Sequence, residues 1–299
     1  MSDLPLINWY PDLLGIILLD LAIAIGLLAS IRKLAGLISH VSSTHELSQR
    51  DNLAFGIAFA GGMSALAIML TGAISGDPGI TLLDEALLVL SYGLFGIVLM
   101  ALTRHFLDKI SLPEIAIHEQ IMQGNVAAAI VDAANMIATA IIVRAVMVWV
   151  DDNSLFGLFA VISGFVFSQI VLVIVTRYRT HVYAKRHHGE SLQKAFAAGN
   201  RALATRYFGH KVGVALAVTA ASGFVPYNEQ NIFLASLMWG LISIVITVVL
   251  SALAIAARYA ILAGINVVEE VDQQQNMAVA TIEAVIYMAI GLLLAGLIV

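Results

Sequence analysis

The chain of 299 residues has no cysteine, which excludes disulfides, thiolate metal sites and thiol chemistry. It is also poor in charge. Asp, Glu, Lys and Arg make up 12% of it, about half the ~25% of an ordinary soluble domain. The opening "MSDLPLINWYPD" contains no Lys or Arg, so a cleaved secretory signal is not expected. There is no P-loop, no Gly-rich dinucleotide fingerprint and no nucleophile elbow. No polar segment is long enough to be a soluble catalytic domain. The expectation is therefore a protein that is not an enzyme, with no cofactor and no metal. The net charge of −5 gives no reason to expect nucleic-acid binding.

What remains is apolar. Hydrophobic residues make up 60% of the chain and the mean hydropathy is +0.93. Apolar runs near the ~20 residues needed to cross a bilayer as helix recur throughout. Eight spans are predicted, at 13–31, 52–74, 81–103, 125–149, 154–176, 200–224, 231–257 and 276–299, and all five prolines fall outside them. Trp9 and Tyr10 suit an interfacial position ahead of the first span. Arg32, Lys33, Arg50, Arg104, Lys109, Arg177, Arg179, Lys185, Arg186, Lys194 and Arg258 all fall in alternate connections. The other connections and both ends carry no Lys or Arg, and Asp3, Asp77, Asp151, Asp152 and Glu229 fall among them. By the positive-inside rule both termini face outward, periplasmic in a bacterial inner membrane.

One phrase occurs four times: "HELSQRDNLAFGIAF", "HEQIMQGNVAAAIVD", "LQKAFAAGNRALATRY" and "VEEVDQQQNMAVATIE". Its asparagines, Asn52, Asn125, Asn200 and Asn276, are 73, 75 and 76 residues apart. A fixed period of this size means internal repetition. Each unit is a span, a cytoplasmic segment and a second span starting at the Asn. With two spans per unit, the repeats run parallel. The fold class is thus an all-α integral membrane protein of eight transmembrane helices. Four parallel two-helix repeats form two tandem four-helix domains, 1–151 and 152–299.

Asn is a good helix N-cap, and the Ala and Gly after it suit close helix packing, including a homo-oligomer. Upstream, "STHE" (43–46) and "SLPE" (111–114) match the capping-box pattern, with Pro113 at an early helical position. They predict a short cytoplasmic helix before the first two even spans. Gly124 and Gly199 would turn the chain just before the Asn.

"EQIMQGNVAAAI" and "DQQQNMAVATI" resemble the YjfL-like family, a bacterial inner-membrane domain family of unknown function. A family domain is similar to four spans carrying the Asn-x-Ala phrase twice, so this chain resembles two in tandem. "GNRALATRY" departs from the pattern at Arg201 and Arg206, which points to a changed role for the third unit. The resemblance implies a multi-span inner-membrane protein and supplies no catalytic residue. It also implies a genetic context of polyamine synthesis and membrane stress.

Charges inside spans are costly and mark the interior. Seven residues past each Asn stand Phe59, Asp132, Tyr207 and Glu283. The second and fourth units therefore carry a carboxylate at one depth, about 10 Å into the span. Asn135 and Tyr287 follow one turn later, and the third unit brings Arg206, His210 and Lys211 to similar depth. These seven form the candidate ion or proton site, with the two acids paired and the three bases as countercharge. The alternative is charge-balanced glue between helices. Nearer the outside, Arg144 either snorkels past Trp149 or pairs with Asp20. His45–Glu46, His118–Glu119 and Glu269–Glu270 read as solvated helix faces, because adjacent residues lack the i, i+4 geometry of a metal pair. The basic segment "RYRTHVYAKRHHGESLQK" fits anionic lipid or a cytoplasmic partner docking at 177–199. Function reads as conduction of a small cation or proton. The alternatives are a structural scaffold linked to envelope stress or polyamine physiology, or a membrane subunit serving a soluble enzyme.

Overall fold

The computed structural model describes residues 11–39, 42–75, 81–150 and 155–299. Trp9, Tyr10, Asp3, Asp77, Asp151 and Asp152 lie outside them. The described residues form helices and contain no strand. The first unit is α1 (Pro11–Ser39), the short α2 (Ser43–Ser48) and α3 (Leu53–Ile74). The second is α4 (Leu82–Phe106), a π-helical turn Leu107–Ser111, α5 (Ile117–Met122) and α6 (Val126–Trp149). The third is α7 (Leu155–Arg186), α8 (Leu192–Ala197) and α9 (Arg201–Ser222). The fourth is α10 (Ile232–Ile261), a π-helical turn Glu269–Gln273 and α11 (Met277–Ile298).

The Asn-led helices form one row in chain order, α3 against α6, α6 against α9, α9 against α11. The other long helices pack outside it, with α4 covering α3, α7 covering α6 and α10 covering α9. Small residues allow the close approach. A Cβ on Gly61 would lie 2.5 Å from Cβ of Ala133 and 2.8 Å from its Cα. A Cβ on Gly209 would overlap the backbone of Ala284, and one on Gly213 would lie 2.7 Å from the Tyr287 carbonyl oxygen. Burial follows position in the row, at 83% of the α6 span against 50% of α3 and 39% of α11 at its ends.

Among the described residues, seven helices are long and apolar enough to cross a membrane: α1, α3, α4 with its π turn, α6, α7, α10 and α11. The eighth expected span corresponds to α9, whose 22 residues include Arg201, Arg206 and Lys211. Its polar content is tolerated because α6, α10 and α11 enclose it, so its side chains meet protein rather than lipid.

Local expectations fare unevenly. Short helices do precede α3 and α6, but neither starts at the expected box. Ser42, not Ser43, caps α2, and its hydroxyl accepts from His45 N–H. Ser111 closes the π turn, and α5 begins at Ile117 after an Ala116 cap with no side-chain bond. Pro113 lies between them. The Glu114 carboxylate instead accepts from the Ser191 hydroxyl, and its N–H donates to Gln193. The basic segment after 176 is largely a continuation of α7, packed on the bundle. Arg177 donates to the Ile110 carbonyl, and Tyr183 stacks on His187.

Candidate functional site

The residue before each repeated Asn has a left-handed backbone: Asp51 (φ 46°), Gly124 (φ 90°), Gly199 (φ 83°) and Gln275 (φ 54°). This sharp turn brings the short segment back onto the start of the inner helix. Each Asn then adopts an extended backbone, and its side-chain oxygen accepts from N–H groups of the first turn. The side-chain amide makes a second connection. Asn52 Nδ2 donates to Glu46 (2.9 Å) and to the carbonyls of Ile121 and Met122 in the next unit. Asn125 Nδ2 donates to Gln120 (2.8 Å) and to the carbonyls of Phe196 and Ala197. Asn200 Nδ2 donates to the Asp272 carbonyl (3.4 Å), and Asn276 Nδ2 to Glu270 (2.8 Å). Capping alone would be met by Ser or Asp, but Asn also carries a separate amide NH2 with two donors while its oxygen caps. That choice, made four times, was the signal for the inter-unit staple.

Glu46 is buried, unlike the solvated face expected of His45–Glu46. It pairs with Arg50 at 3.0 Å as well as with Asn52. Burial pushes its pKa up, but the bonds from Asn52 and Arg50 outweigh it and hold the carboxyl below its usual range. Glu270 likewise has a partner, in Asn276. His118 lies beside the Arg104–Asp132 pair. Burial, then the Arg104 charge, hold its pKa below the ordinary histidine value.

Asp132 and Glu283 are both buried at matching depth, but they do not meet. Asp132 pairs with Arg104 of α4 (3.1 Å). Glu283 pairs with Arg258 of α10 (3.1 Å) and with Arg206 (2.6 Å). The matching partners are thus Arg104 and Arg258, each in the last turn of the outer helix of its own unit. Both read in sequence as loop charges, because α4 and α10 run on past their apolar stretch. Of the expected countercharges, only Arg206 reaches either acid. Its Nη1 also donates to Asp272, and its Nη2 to the Val267 carbonyl (3.1 Å). Burial pushes the Asp272 pKa up against the opposing pull of Arg206 and His187.

Lys211 pairs with no carboxylate. Its Nζ donates to the Leu172 carbonyl (2.6 Å) and lies 5.4 Å from the Tyr207 ring centre. The His210 ring meets Tyr287 edge-on, and its Nε2 has no hydrogen-bond partner. Asn135 is buried with an unpartnered side-chain oxygen. Asp20 faces Glu85 of α4, not Arg144. Arg144 donates to the Thr71 hydroxyl (2.9 Å), which lies one helix away in the row. Of the seven expected site residues, Asp132 belongs to one cluster and Arg206, Glu283, His210 and Tyr287 to another, while Asn135 and Lys211 join neither.

Each cluster borders a small cleft. One of ≈ 60 Å³ is lined by Arg104, Asp108, His118 and Asp132 among apolar neighbours. The other, ≈ 40 Å³, is lined by Arg179, Arg186, Arg206, His210 and Asp272, and Glu283 does not line it. Each has room for a few waters and not for a larger molecule. No group of three or more His, Asp or Glu able to hold a metal occurs among the described residues.

The sequence model of the Domain of Unknown Function (DUF350) matches residues 8–147 and again 153–298. The chain belongs to the DUF350 family. Its two tandem DUF350 domains each hold two Asn-led units, and the acid follows the second Asn of each. No curated protein and no solved structure matches the chain.

Proposed function

We propose that this DUF350 protein is a non-catalytic structural membrane protein whose buried ion pairs lock the repeats together. The observation that carries this reading is the pairing of both deep carboxylates. Asp132 has Arg104, while Glu283 has Arg206 and Arg258. A conducting acid must exchange its partner for an ion or proton, whereas these acids join an outer helix to an inner one. Removing one member of a buried pair leaves the other unpaired, at a cost of about 3–5 kcal/mol. Eight crossings support the same picture, since α9 is ~33 Å long and enclosed by protein. The Lys and Arg distribution supports periplasmic termini, and the YjfL-like resemblance supports a bacterial inner membrane and a link to envelope stress or polyamine physiology.

Cation or proton conduction is the second reading. It draws on the unpartnered Nε2 of His210 and on the cleft at Asp132. Reconstituted vesicles separate the two. Under the structural reading, wild-type protein passes neither protons nor monovalent cations. Asp132→Asn lowers the melting temperature, and adding Arg104→Gln restores much of it. Wild-type flux that disappears in a stably folded Asp132→Asn/Glu283→Gln double variant would replace the structural reading with transport.

A further inference from the structure

The row of inner helices has two ends, and the ends are unlike. Inside the chain one interface is used three times. The residues 2, 6, 9, 13 and 20 positions after the Asn face the following unit. In α6 these are Ala127, Val131, Ala134, Ala138 and Ala145, all buried. In α3 the same positions are Ala54, Ala58, Gly61, Ala65 and Gly72, also buried. In α11 they are Ala278, Ile282, Val285, Ala289 and Gly296, and all five are exposed. At the opposite end, the face of α3 that would receive a preceding unit is open at Ala60 and Ser64. Its counterparts in α11, Ala284 and Met288, are turned to α9 and partly or fully buried.

The staple shows the same gap. Each Asn amide donates to carbonyls four, or three and four, residues before the next Asn: Ile121 and Met122, Phe196 and Ala197, Asp272. Among the described residues, Asn276 Nδ2 donates to Glu270 and to no carbonyl of another unit. The equivalent carbonyls are those of Ser48 and Gln49, which are exposed at the end of α2.

We propose that a second copy of this chain continues the row, with the α11 face of one copy docked on the α3 face of the next. Asn276 then donates to the Ser48 and Gln49 carbonyls of the following copy, and Val285 lies against its Ala60. Such a head-to-tail contact joins unlike faces, so it builds rings or open rows instead of two-fold dimers. Without water to drive burial, membrane helices associate by close packing and inter-helix hydrogen bonds, and this junction offers both. The inference does not depend on whether the buried charges conduct.

The chain has no cysteine, so single introduced thiols report the contact directly. Val285→Cys and Ala60→Cys chains, differently tagged and co-expressed, should form a mixed disulfide in native membranes. The double variant should give a ladder of dimer, trimer and higher species. Val98→Cys, on an exposed position of α4, should not cross-link to Val285→Cys. Because Val285 and Ala60 are exposed in the single chain, bulk there should leave the fold intact. Val285→Trp or Ala60→Trp should each collapse the oligomer in lipid nanodiscs to single chains. A mixture of the two should stop at dimers, because each supplies one good face. Val285→Cys cross-linking only to itself would overturn the proposal in favour of a two-fold dimer. Single wild-type chains by mass in nanodiscs, with no mixed disulfide, would overturn it outright.

Discussion

The two DUF350 domains carry the same acid at the same depth but treat it differently. In the first, Asp132 has one arginine, Arg104, whose side chain is 35% exposed. In the second, Glu283 is held by two arginines, and Arg206 is further engaged by Asp272 and Val267. The equivalent of Arg206 in the first domain is Ala58, six residues after Asn52. The extra basic residues that set the third unit apart thus close a network which the first domain leaves open to a cleft. The first domain should lose less from a change at its acid than the second.

The sharpest break in that comparison is Arg206→Gln. It strips Glu283 of one partner and Asp272 of its main one. Loss of a buried pairing costs about 3–5 kcal/mol, seen as a large drop in melting temperature or failure to fold. Arg104→Gln, at the more solvated pair, should cost about 1–2 kcal/mol. Equal losses would mean that the two acids are held alike.

Helix spacing offers a second contrast. Gly209→Ala drives a methyl into the Ala284 backbone, which has little room to move. The cost should reach the upper part of the ~1–3 kcal/mol range for overpacking. Gly61→Ala meets mainly the Cβ and Cα of Ala133 and should cost less. Thermal unfolding of the two variants in one detergent ranks them.

The turns give a smaller effect of opposite sign. Gln275→Gly relieves a left-handed backbone at φ 54° and should stabilise by about 0.5–1 kcal/mol. Gly124→Ala, at φ 90°, should destabilise by a similar or larger amount. A destabilising Gln275→Gly would show that the Gln side chain matters more than its backbone.

The smallest effect is a pH dependence within the first domain. His118 has a lowered pKa in the folded state. Its contribution is complete above the ordinary value of about 6.5 and is lost as pH falls through the lowered one. Glu46, also lowered, acts with the same sign at more acidic pH. The contribution of these two groups to the melting temperature should therefore decline on acidification below about pH 6.5. His118→Gln should flatten the upper part of that decline, and an unchanged slope would exclude His118 as its source.

Much of this architecture could be read without coordinates. The Asn period, the alternation of basic connections and the matched depth of Asp132 and Glu283 are one-dimensional features, because a helix converts sequence distance directly into height. The turn before each Asn was half legible. Gly124 and Gly199 announced it, while Asp51 and Gln275 adopt the same backbone without a glycine. The ion pairs were mostly illegible. Height says nothing about direction around the helix, so Arg104 and Arg258 read as loop charges, Lys211 as a countercharge and Arg144 as either a snorkelling residue or a partner for Asp20.

The amino-acid order alone determined that the protein is helical, multi-span and internally repeated, since hydropathy and period are local properties. Only the tertiary structure decided that the Asn-led helices form a single row. It enclosed α9 despite its charges, paired each acid with an arginine of the outer helix in its own unit, and left α11 with the face that its predecessors bury. These outcomes depend on which side of each helix meets which neighbour, and that is set by packing among residues 25 to 77 positions apart.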